Sequence, residues 1–318
     1  MKAFVTGGAG FIGSHIVDHL IAQGAGVTVY DNLTTGFRAN LGDHRGNPAF
    51  QFIQGDILDF DLLARSLAGH DAVFHFQANA DVRGGMEKTR IDLEQNTTGT
   101  WNVLEAMRLH GAKLIVFSSS ASVYGEPDRF PTPEDAPLIQ TSLYGASKLA
   151  GEAMLQAYSE YFGIRSIAFR FVSWIGARYS HGVVFDFVTK LRQDPRRLEV
   201  LGDGKQRKSY LDVRDGVSGI FTAVERFEGV KGVFNLGHDE FMNVLDLAQI
   251  VLSEMGLENV EIYTTGGERG WLGDSPMVHL DTRRIKALGW IPGIAIETGI
   301  RSTVRHLLEN PWLLLERR

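Results

Sequence analysis

A glycine-rich turn near the N-terminus constrains the fold of this chain more than any other feature. Apolar residues Ala3–Thr6 predict a short buried strand, residues 7–13 read GGAGFIG, and a helical pattern follows from Phe11. Glycines at these spacings allow a tight turn and let a diphosphate approach the backbone at a helix N-terminus, where N–H groups favour anions. Because the turn lies between a strand and a helix, it predicts a dinucleotide-binding βαβ unit.

Apolar and amphipathic segments alternate along the first half of the chain. Strands are predicted at Ala3–Thr6, Val27–Tyr30, Phe50–Ile53, Ala72–Phe76, Lys113–Ser118 and Ser166–Phe171. Helices are predicted at Phe11–Gln23, Thr97–His110, Leu143–Phe162, Val244–Met255 and Glu297–Glu309. In the second helix, Trp101, Leu104 and Met107 recur at helical spacing and are expected to face the sheet. The alternation predicts an α/β fold with a doubly wound, Rossmann-type parallel sheet.

The end of the second predicted strand carries an acid that indicates the cofactor. Asp31 lies 18 residues after Gly13, and an acid about 20 residues beyond the glycine turn binds the adenosine ribose diol in such units. A carboxylate there repels a 2′-phosphate, so Asp31 predicts NAD⁺ rather than NADP⁺. Asp56, after the third strand, is a candidate acceptor for the adenine amino group.

The regular alternation ends near Ser173, after which glycines, turns and shorter elements dominate. We therefore expect residues 1–172 to form an NAD-binding domain. Residues 173–318 are expected to form a smaller, mixed α/β lobe that binds the substrate, with some segments returning to the first domain.

Composition limits the remaining chemistry. The 318-residue chain has no cysteine, which excludes disulfides, thiolate catalysis and cysteine-bound zinc, and no spacing of His, Asp and Glu indicates a metal. A net charge of −6 argues against a nucleic-acid partner, and no apolar run approaches the roughly 20 residues of a membrane span. Glycine interrupts the N-terminal segment before the apolar core of a signal peptide could form. We expect a cytoplasmic protein without metal, membrane or nucleic-acid partners.

A serine cluster and a Tyr-x-x-x-Lys pair are the candidate catalytic groups. Ser120 lies just after the predicted strand Lys113–Ser118, and Tyr144 and Lys148 share one face of the long helix. An ammonium beside a phenol favours the phenolate, so Lys148 is expected to lower the pKa of Tyr144 from about 10 toward neutrality. Tyr144 can then act as general base, while the Ser120 hydroxyl holds the substrate oxygen that is oxidised. His75, at a strand end, is expected to be structural.

Six segments carry a resemblance to a known family. They are residues 6–15 (TGGAGFIGSH), 31–33 (DNL), 118–125 (SSSASVYG), 144–148 (YGASK), 205–210 (KQRKSY) and 269–274 (RGWLGD). Together they make the chain similar to the extended short-chain dehydrogenases/reductases, and within these to the nucleotide-sugar epimerases. The resemblance covers nearly the whole chain.

The resemblance implies a set of contacts for each ligand. The implied NAD contacts are Gly7, Gly10, Phe11, Ile12, Gly13, Asp31, Asn32, Asp56, Ile57, Gln77, Asn96, Tyr144 and Lys148. The implied substrate contacts are Ser119, Ser120, Ser173, Arg178, His181, Val183, Val200, Arg207, Lys208 and Arg269. Two positions depart from the family: Gln77 stands where relatives usually carry alanine, and Ser173 stands where they usually carry asparagine.

The resemblance also narrows the reaction. Dehydratases of this family carry Asp-Glu at the positions of Ala121 and Ser122, and the sugar-acid decarboxylases carry Glu at the second. Neither residue here can transfer a proton at a useful pKa, so a 4-keto sugar can only take back its hydride. This implies a 4-epimerase of the UDP-glucose/UDP-galactose type, with NAD retained.

Several alternatives stay open. A UDP-glucuronate 4-epimerase is favoured if Ser173 and Arg178 bind a carboxylate, and a small residue at Val278 leaves room for an N-acetyl group at C2. The remaining alternatives are a nucleotide-sugar reductase and a non-enzymatic NAD-sensing protein. The family resemblance further implies a homodimer formed through the helices near Thr97–His110 and Leu143–Phe162.

Overall fold

The fold is taken from a computed structural model that describes residues 1–79 and 81–315. In these residues the strands are β1 (Lys2–Thr6), β2 (Gly26–Asp31), β3 (Phe50–Gln54), β4 (Ala72–His75), β5 (Leu114–Ser120), β6 (Arg165–Phe171), β7 (Ser173–Ile175), β8 (Arg197–Val200), β9 (Arg207–Lys208), β10 (Tyr210–Asp212), β11 (Lys231–Leu236), β12 (Met242–Asn243), β13 (Glu261–Thr264) and β14 (Met277–Val278). The α-helices are α1 (Phe11–Ala22), α2 (Phe60–Leu67), α3 (Gly99–His110), α4 (Leu143–Phe162), α5 (Val183–Gln193), α6 (Val213–Arg226), α7 (Val244–Met255), α8 (Arg283–Lys286), α9 (Ile296–Glu309) and α10 (Trp312–Leu315). Short 3₁₀ helices and one π-helix, Asp92–Thr98, complete the secondary structure.

Seven strands form the central sheet, in the order β11-β6-β5-β4-β1-β2-β3. Ala3 of β1 pairs in parallel with Val27 on one side and with Ala72 on the other, so the strand order reverses beside β1. In doubly wound sheets, ligands bind beyond the carboxyl ends of the strands at such a reversal. The predicted doubly wound α/β fold is confirmed.

The sheet forms because its strands are apolar on both faces and are covered by helices. Phe4, Val73 and Ile115 are fully buried in this core. On α3, Leu104 and Met107 are also fully buried, as predicted. Trp101 does not face the sheet: it is 45% exposed and stacks on Phe60 of α2, with ring centroids 6.2 Å apart. Helical spacing alone did not reveal that α2 lies beside α3.

The chain divides into two compact units, and each is built from several segments. The first contains Met1–Tyr124, Leu138–Arg170 and Ile220–Phe234; the second contains Gly125–Pro137, Phe171–Gly219 and the described residues from Asn235 onward. The change at Phe171 lies next to the expected boundary, but 125–137 belongs to the second unit and 220–234 to the first. Among the described residues, no helix is both long and apolar enough to cross a bilayer.

Candidate functional site

The turn after β1 is built so that its backbone stays accessible. Gly7 has φ +70°, and a Cβ there would lie 2.6 Å from the Gln77 nitrogen. A Cβ on Gly13 would lie 2.1 Å from the Gly7 carbonyl oxygen. Gly10 caps α1 without a side-chain hydrogen bond, which leaves the first N–H groups of the helix available to an anion. Phe11 is buried and Ile12 is half-buried behind this turn.

Asp31 closes the same turn from the end of β2. It is 7% exposed, and its two oxygens accept backbone hydrogen bonds from Ala9 at 2.9 Å and Leu33 at 2.8 Å. Burial raises the pKa of Asp31 even though both backbone bonds oppose the rise. The carboxylate is therefore held rigidly at the carboxyl edge of the sheet, where the sequence predicted a ribose-binding acid.

Asp56, the predicted adenine contact, and the further predicted NAD contacts Asn32 and Ile57 follow at the ends of β2 and β3. The Asn32 side-chain amide donates to Asp56 Oδ2 at 3.1 Å, and Asp56 Oδ1 accepts from the Leu58 N–H at 2.9 Å. Ile57 is 2% exposed. The structure thus places these side chains beside Asp31 in the first unit.

Gln77 follows β4 and packs against the glycine turn. Its Nε2 donates to Gln95 Oε1 at 2.9 Å, whereas its Oε1 is buried without a hydrogen-bond partner among the described residues. His75, just before it, contacts Thr6 Oγ1 at 2.7 Å and Thr100 Oγ1 at 3.0 Å. Burial, and then the charge of Lys148, lowers the pKa of His75 to about 3, so His75 is a neutral structural side chain.

Helix α4 brings the predicted catalytic residues to the end of β5. Ser142 caps the helix by accepting from the Gly145 N–H at 3.0 Å. A Cβ on Gly145 would lie 2.6 Å from the Ser122 carbonyl oxygen, so glycine there allows the helix to approach closely. The Ser120 hydroxyl donates to Ser122 Oγ at 3.1 Å, and it lowers the pKa of the Tyr144 phenol against the effect of burial.

Lys148 lies on the same side of α4 but does not bind the phenol oxygen. Its Nζ is 5.8 Å from the Tyr144 ring centroid and donates to the Ser118 carbonyl at 2.7 Å. Lys148 is 2% exposed, and its amine is held by β5, the strand that ends in Ser120. Ser120, Tyr144 and Lys148 therefore form one cluster in the first unit.

The predicted effect of Lys148 on Tyr144 is wrong for this arrangement. Burial raises the pKa of Tyr144 to about 12, the Asp92 carboxylate raises it further, and the Ser120 hydrogen bond opposes both. Burial also lowers the pKa of Lys148 to about 7, against the charge of Asp92. Burial is the largest cause of both pKa shifts, because it disfavours the charged forms of the phenol and of the amine.

Asn96 connects the π-helix to α4. Its Nδ2 donates to Ser147 Oγ at 2.9 Å, and the Ser147 hydroxyl donates to the Tyr144 carbonyl at 2.7 Å. Asn96 Oδ1 accepts from the Asn79 N–H at 2.7 Å. The side chain is thus positioned to hold the catalytic helix in place.

A buried ion pair behind the cluster was not predicted. Arg170 Nη2 lies 2.8 Å from Glu152 Oε2, and both side chains are at most 5% exposed. The Ser119 hydroxyl donates to Glu152 Oε1 at 2.5 Å, and Arg170 Nη1 donates to the Tyr124 hydroxyl at 2.9 Å. Charged residues inside an otherwise apolar strand and helix face were the available signal. Ser119 is 2% exposed, so the side-chain contact with substrate suggested by the resemblance does not fit.

The cations of the second unit are largely paired within it. Lys208 Nζ lies 2.6 Å from Asp274 Oδ1 and 5.2 Å from the Trp271 ring centroid. Arg269 Nη2 lies 2.6 Å from Glu126 Oε1. Arg207, on β9, is exposed. A diphosphate would therefore have to compete with carboxylates for two of the three predicted cations.

The other predicted substrate contacts differ in exposure. Val200 is fully buried, and its carbonyl accepts from the Thr265 N–H at 3.1 Å. Ser173 is exposed at the start of β7, and Val183 begins α5 half-buried. His181 stacks on Tyr179 with ring centroids 6.0 Å apart.

Arg178 has an unusual backbone and a neighbour on α9. Its φ is 64°, which lies in the left-handed region that few residues other than glycine adopt. Burial lowers the pKa of His306, and the nearby charge of Arg178 lowers it further.

Comparisons with known proteins agree with this geometry. A profile of the NAD dependent epimerase/dehydratase family matches residues 3–237. A UDP-glucose 4-epimerase of Mycolicibacterium smegmatis is 33% identical over 311 residues, which cover 96% of this chain and 97% of the relative. A crystal structure of UDP-galactose 4-epimerase is 39% identical, with a TM-score of 0.87 over 98% of this chain and 100% of that one. A UDP-glucuronic acid 4-epimerase from Bacillus cereus, solved with UDP-glucuronic acid and NAD, is 26% identical, with a TM-score of 0.90 over 97% and 99% of the chains. The resemblance inferred from the motifs is confirmed.

Proposed function

The chain belongs to the NAD-dependent epimerase/dehydratase family, and from this premise we propose that it interconverts UDP-glucose and UDP-galactose by inversion at C4. The observation that carries the proposal is the cluster of Ser120, Tyr144 and Lys148 at the end of β5, next to side chains that cannot eliminate water. The named 4-epimerase relatives support the same reaction.

The first unit has the features that NAD requires. The glycine turn would offer backbone N–H groups to the diphosphate, Asp31 would accept from the ribose hydroxyls, and Asp56 would accept from the adenine amino group. Asn32 and Ile57 are proposed as further contacts with the cofactor. The unpartnered Gln77 Oε1 is an acceptor for a donor on the cofactor. NAD⁺, when bound, supplies a hydride acceptor and a positive charge, and it is regenerated within each cycle.

Tyr144 is the general base of the proposed reaction. Burial raises the pKa of the Tyr144 phenol to about 12. The positive charge that bound NAD⁺ would supply favours the phenolate and would offset this rise. Tyr144 removes the proton of the sugar C4 hydroxyl, and Ser120 donates a hydrogen bond to the same oxygen. Lys148 is fixed to the Ser118 carbonyl on the same side of α4, and burial lowers the pKa of its amine to about 7.

The two residues after Ser120 determine the fate of the oxidised sugar. Ala121 and Ser122 begin a 3₁₀ helix, and the Ser122 hydroxyl is hydrogen-bonded to Ser120. Neither side chain can remove a proton from C5 or protonate a C6 hydroxyl. A 4-keto sugar would therefore be left only with reduction on the opposite face of C4, for which bound NAD would supply the hydride, and Tyr144 would return the proton to the oxygen.

The second unit is assigned to the nucleotide-sugar. Arg207, Lys208 and Arg269 are the cations proposed for the diphosphate, while Ser173, His181 and Val183 are proposed to contact the sugar side. UDP-glucuronate is the second candidate substrate, favoured by the likeness to the Bacillus cereus enzyme.

A homodimer is proposed from the exposed apolar side chains of α3 and α4. Trp101 is 45%, Leu109 52%, Tyr161 78% and Phe162 43% exposed. Pairing these helices between two copies would remove that surface from water. The cytoplasmic location stays a prediction from the sequence.

A panel of UDP-sugars tests the substrate. The purified protein is incubated with UDP-glucose, UDP-galactose, UDP-glucuronate and UDP-N-acetylglucosamine without added dinucleotide, and the products are resolved by chromatography. We expect incubations that start from UDP-glucose and from UDP-galactose to reach the same equilibrium mixture of the two sugars. If UDP-glucuronate is turned over preferentially, and Arg178→Ala lowers that turnover more than tenfold, the substrate would be assigned as the uronate instead of the hexose. If NAD is released on purification and turnover requires added NADH, the protein would be a reductase. If it binds NAD but turns over no UDP-sugar, it would be a sensor.

A further inference from the structure

The π-helix Asp92–Thr98 carries a buried carboxylate that the proposed reaction does not use. Asp92 is 1% exposed. Its Oδ1 accepts from Asn79 Nδ2 at 3.0 Å and from Asn96 Nδ2 at 3.1 Å. Its Oδ2 is buried without a hydrogen-bond partner among the residues that the structure describes. Such an oxygen costs free energy, and π-helical turns are frequent at functional sites, so Asp92 is a candidate for a functional role.

A continuous chain of hydrogen bonds connects Asp92 to the catalytic helix. Asn96 Nδ2 donates both to Asp92 Oδ1 at 3.1 Å and to Ser147 Oγ at 2.9 Å. The Ser147 hydroxyl donates to the Tyr144 carbonyl at 2.7 Å. Rotation of either helix would break this chain. Asp92 therefore fixes the orientation of the Asn96 amide, and the amide fixes the first turn of α4.

The charges that act on Asp92 come from two other segments. Burial raises the pKa of Asp92, and the carboxylate of Asp81 also raises it, while the ammonium of Lys148 lowers it. From its side, Asp92 raises the pKa of both Lys148 and Tyr144. His75 near Lys148 has a pKa of about 3 and so adds no charge at neutral pH. Asp92 is thus the carboxylate that offsets the buried ammonium.

We propose that Asp92 is a positioning residue for the Tyr144–Lys148 pair, which it serves by balancing the buried ammonium and by holding α4 through Asn96. The inference rests on the proposed function, because it assigns Asp92 to the base of that reaction. Asp92 acts through other residues, and no contact with the sugar is required of it.

Asp92→Asn separates charge from geometry, because the amide keeps an acceptor for Asn79 and Asn96 but has no charge. Tyr144 and Lys148 each lose a carboxylate that raises their pKa, so the pH profile of turnover is expected to move to lower pH by on the order of one unit. Asp92→Ala also removes the acceptor and should lower kcat more than it changes KM. The matched control is Glu94→Gln on the same π-helix, whose exposed carboxylate pairs with Arg90 at 2.7 Å; its profile should not move.

A second measurement does not depend on turnover. The ultraviolet absorbance of tyrosinate is followed as a function of pH in the unaltered protein and in Asp92→Asn. Each is compared with the same protein carrying Tyr144→Phe. The midpoint of the Tyr144 ionisation should fall by a similar amount in Asp92→Asn, even if the enzyme proves not to be an epimerase. A folded Asp92→Asn protein whose pH profile and tyrosinate midpoint both match those of Glu94→Gln would overturn the inference.

Discussion

The two compact units handle their charged side chains in different ways. In the first unit, Asp31, Asp92 and Glu152 are almost fully buried and hold parts of the candidate site in place. In the second unit, Lys208 and Arg269 pair with Asp274 and Glu126, and the Arg269–Glu126 pair is about two-fifths exposed on each side. The comparison indicates a preorganised reaction site and a more exchangeable set of binding cations.

The difference has an energetic basis. Removing one partner of a buried ion pair costs about 3–5 kcal/mol, because the other charge is left without compensation. An exposed ion pair contributes about 0–1 kcal/mol, so an anionic ligand can displace it at little cost. Substitutions in the first unit should therefore have large effects, and substitutions of the second unit's cations small ones.

The largest effect is expected at the general base. Tyr144→Phe keeps the ring but removes the proton acceptor, so kcat should fall by a factor on the order of 10²–10⁴ while the fold persists. Tyr161→Phe, on an exposed residue of the same helix, is the control and should retain activity. Steady-state kinetics and thermal unfolding check both variants, and a fully active Tyr144→Phe protein would refute the assignment.

The buried ion pair should matter mainly for stability. Glu152→Gln leaves the Arg170 guanidinium without a carboxylate and should lower the free energy of unfolding by about 3–5 kcal/mol, measured by denaturant titration. The matched control is Glu160→Gln on the same helix, because Glu160 forms an exposed pair with Lys231 at 2.7 Å and should cost about 0–1 kcal/mol. Equal losses in the two variants would mean that burial does not distinguish these pairs.

A smaller effect is expected on cofactor choice. Asp31→Asn keeps an acceptor for the Ala9 and Leu33 N–H groups but removes the charge that repels a 2′-phosphate. The preference for NAD⁺ over NADP⁺ should narrow by about tenfold or more, since charged hydrogen bonds contribute about 1.5–3 kcal/mol. Binding is followed by calorimetry after the cofactor has been removed. Equal affinity for the two dinucleotides in the unaltered protein would count against this role of Asp31.

The smallest effect is expected among the second unit's cations. Lys208→Met removes an ammonium already paired with Asp274, so KM for the nucleotide-sugar should rise only a few-fold. Because the Asp274 side chain is 5% exposed, the unpaired carboxylate should also lower the free energy of unfolding. Arg207→Met removes an exposed cation and should raise KM more. The reverse order would show that Lys208 leaves Asp274 to bind the substrate.

Much of the fold could be predicted from local patterns. The bounds Leu143–Phe162 and Val244–Met255 match the prediction, because both helices begin at a capping side chain and end before a glycine in the left-handed conformation. The predicted strands of the central sheet agree within one or two residues. The π-helix before α3 was missed, since its spacing is too close to that of an α-helix to be told apart by periodicity.

The site was less predictable, because its chemistry depends on contacts between distant segments. Motifs identified Tyr144 and Lys148, but burial, which is the largest cause of both pKa shifts, and the charge of Asp92 come from the packing of distant segments. The burial of Val200 and the pairing of Ser119 with Glu152 likewise depend on packing. A resemblance assigns a role to a position, whereas its surroundings decide whether the side chain can perform it.

The fate of the hydrogen at C4 tests the central claim most directly. UDP-galactose deuterated at C4 is incubated with the purified protein and an excess of unlabelled NAD⁺, and the UDP-glucose formed is examined by mass spectrometry and NMR. An epimerase that keeps its cofactor should return the deuterium to C4 of the product, with none in the free dinucleotide. Transfer of the deuterium to free NADH, or its loss to water, would contradict the account.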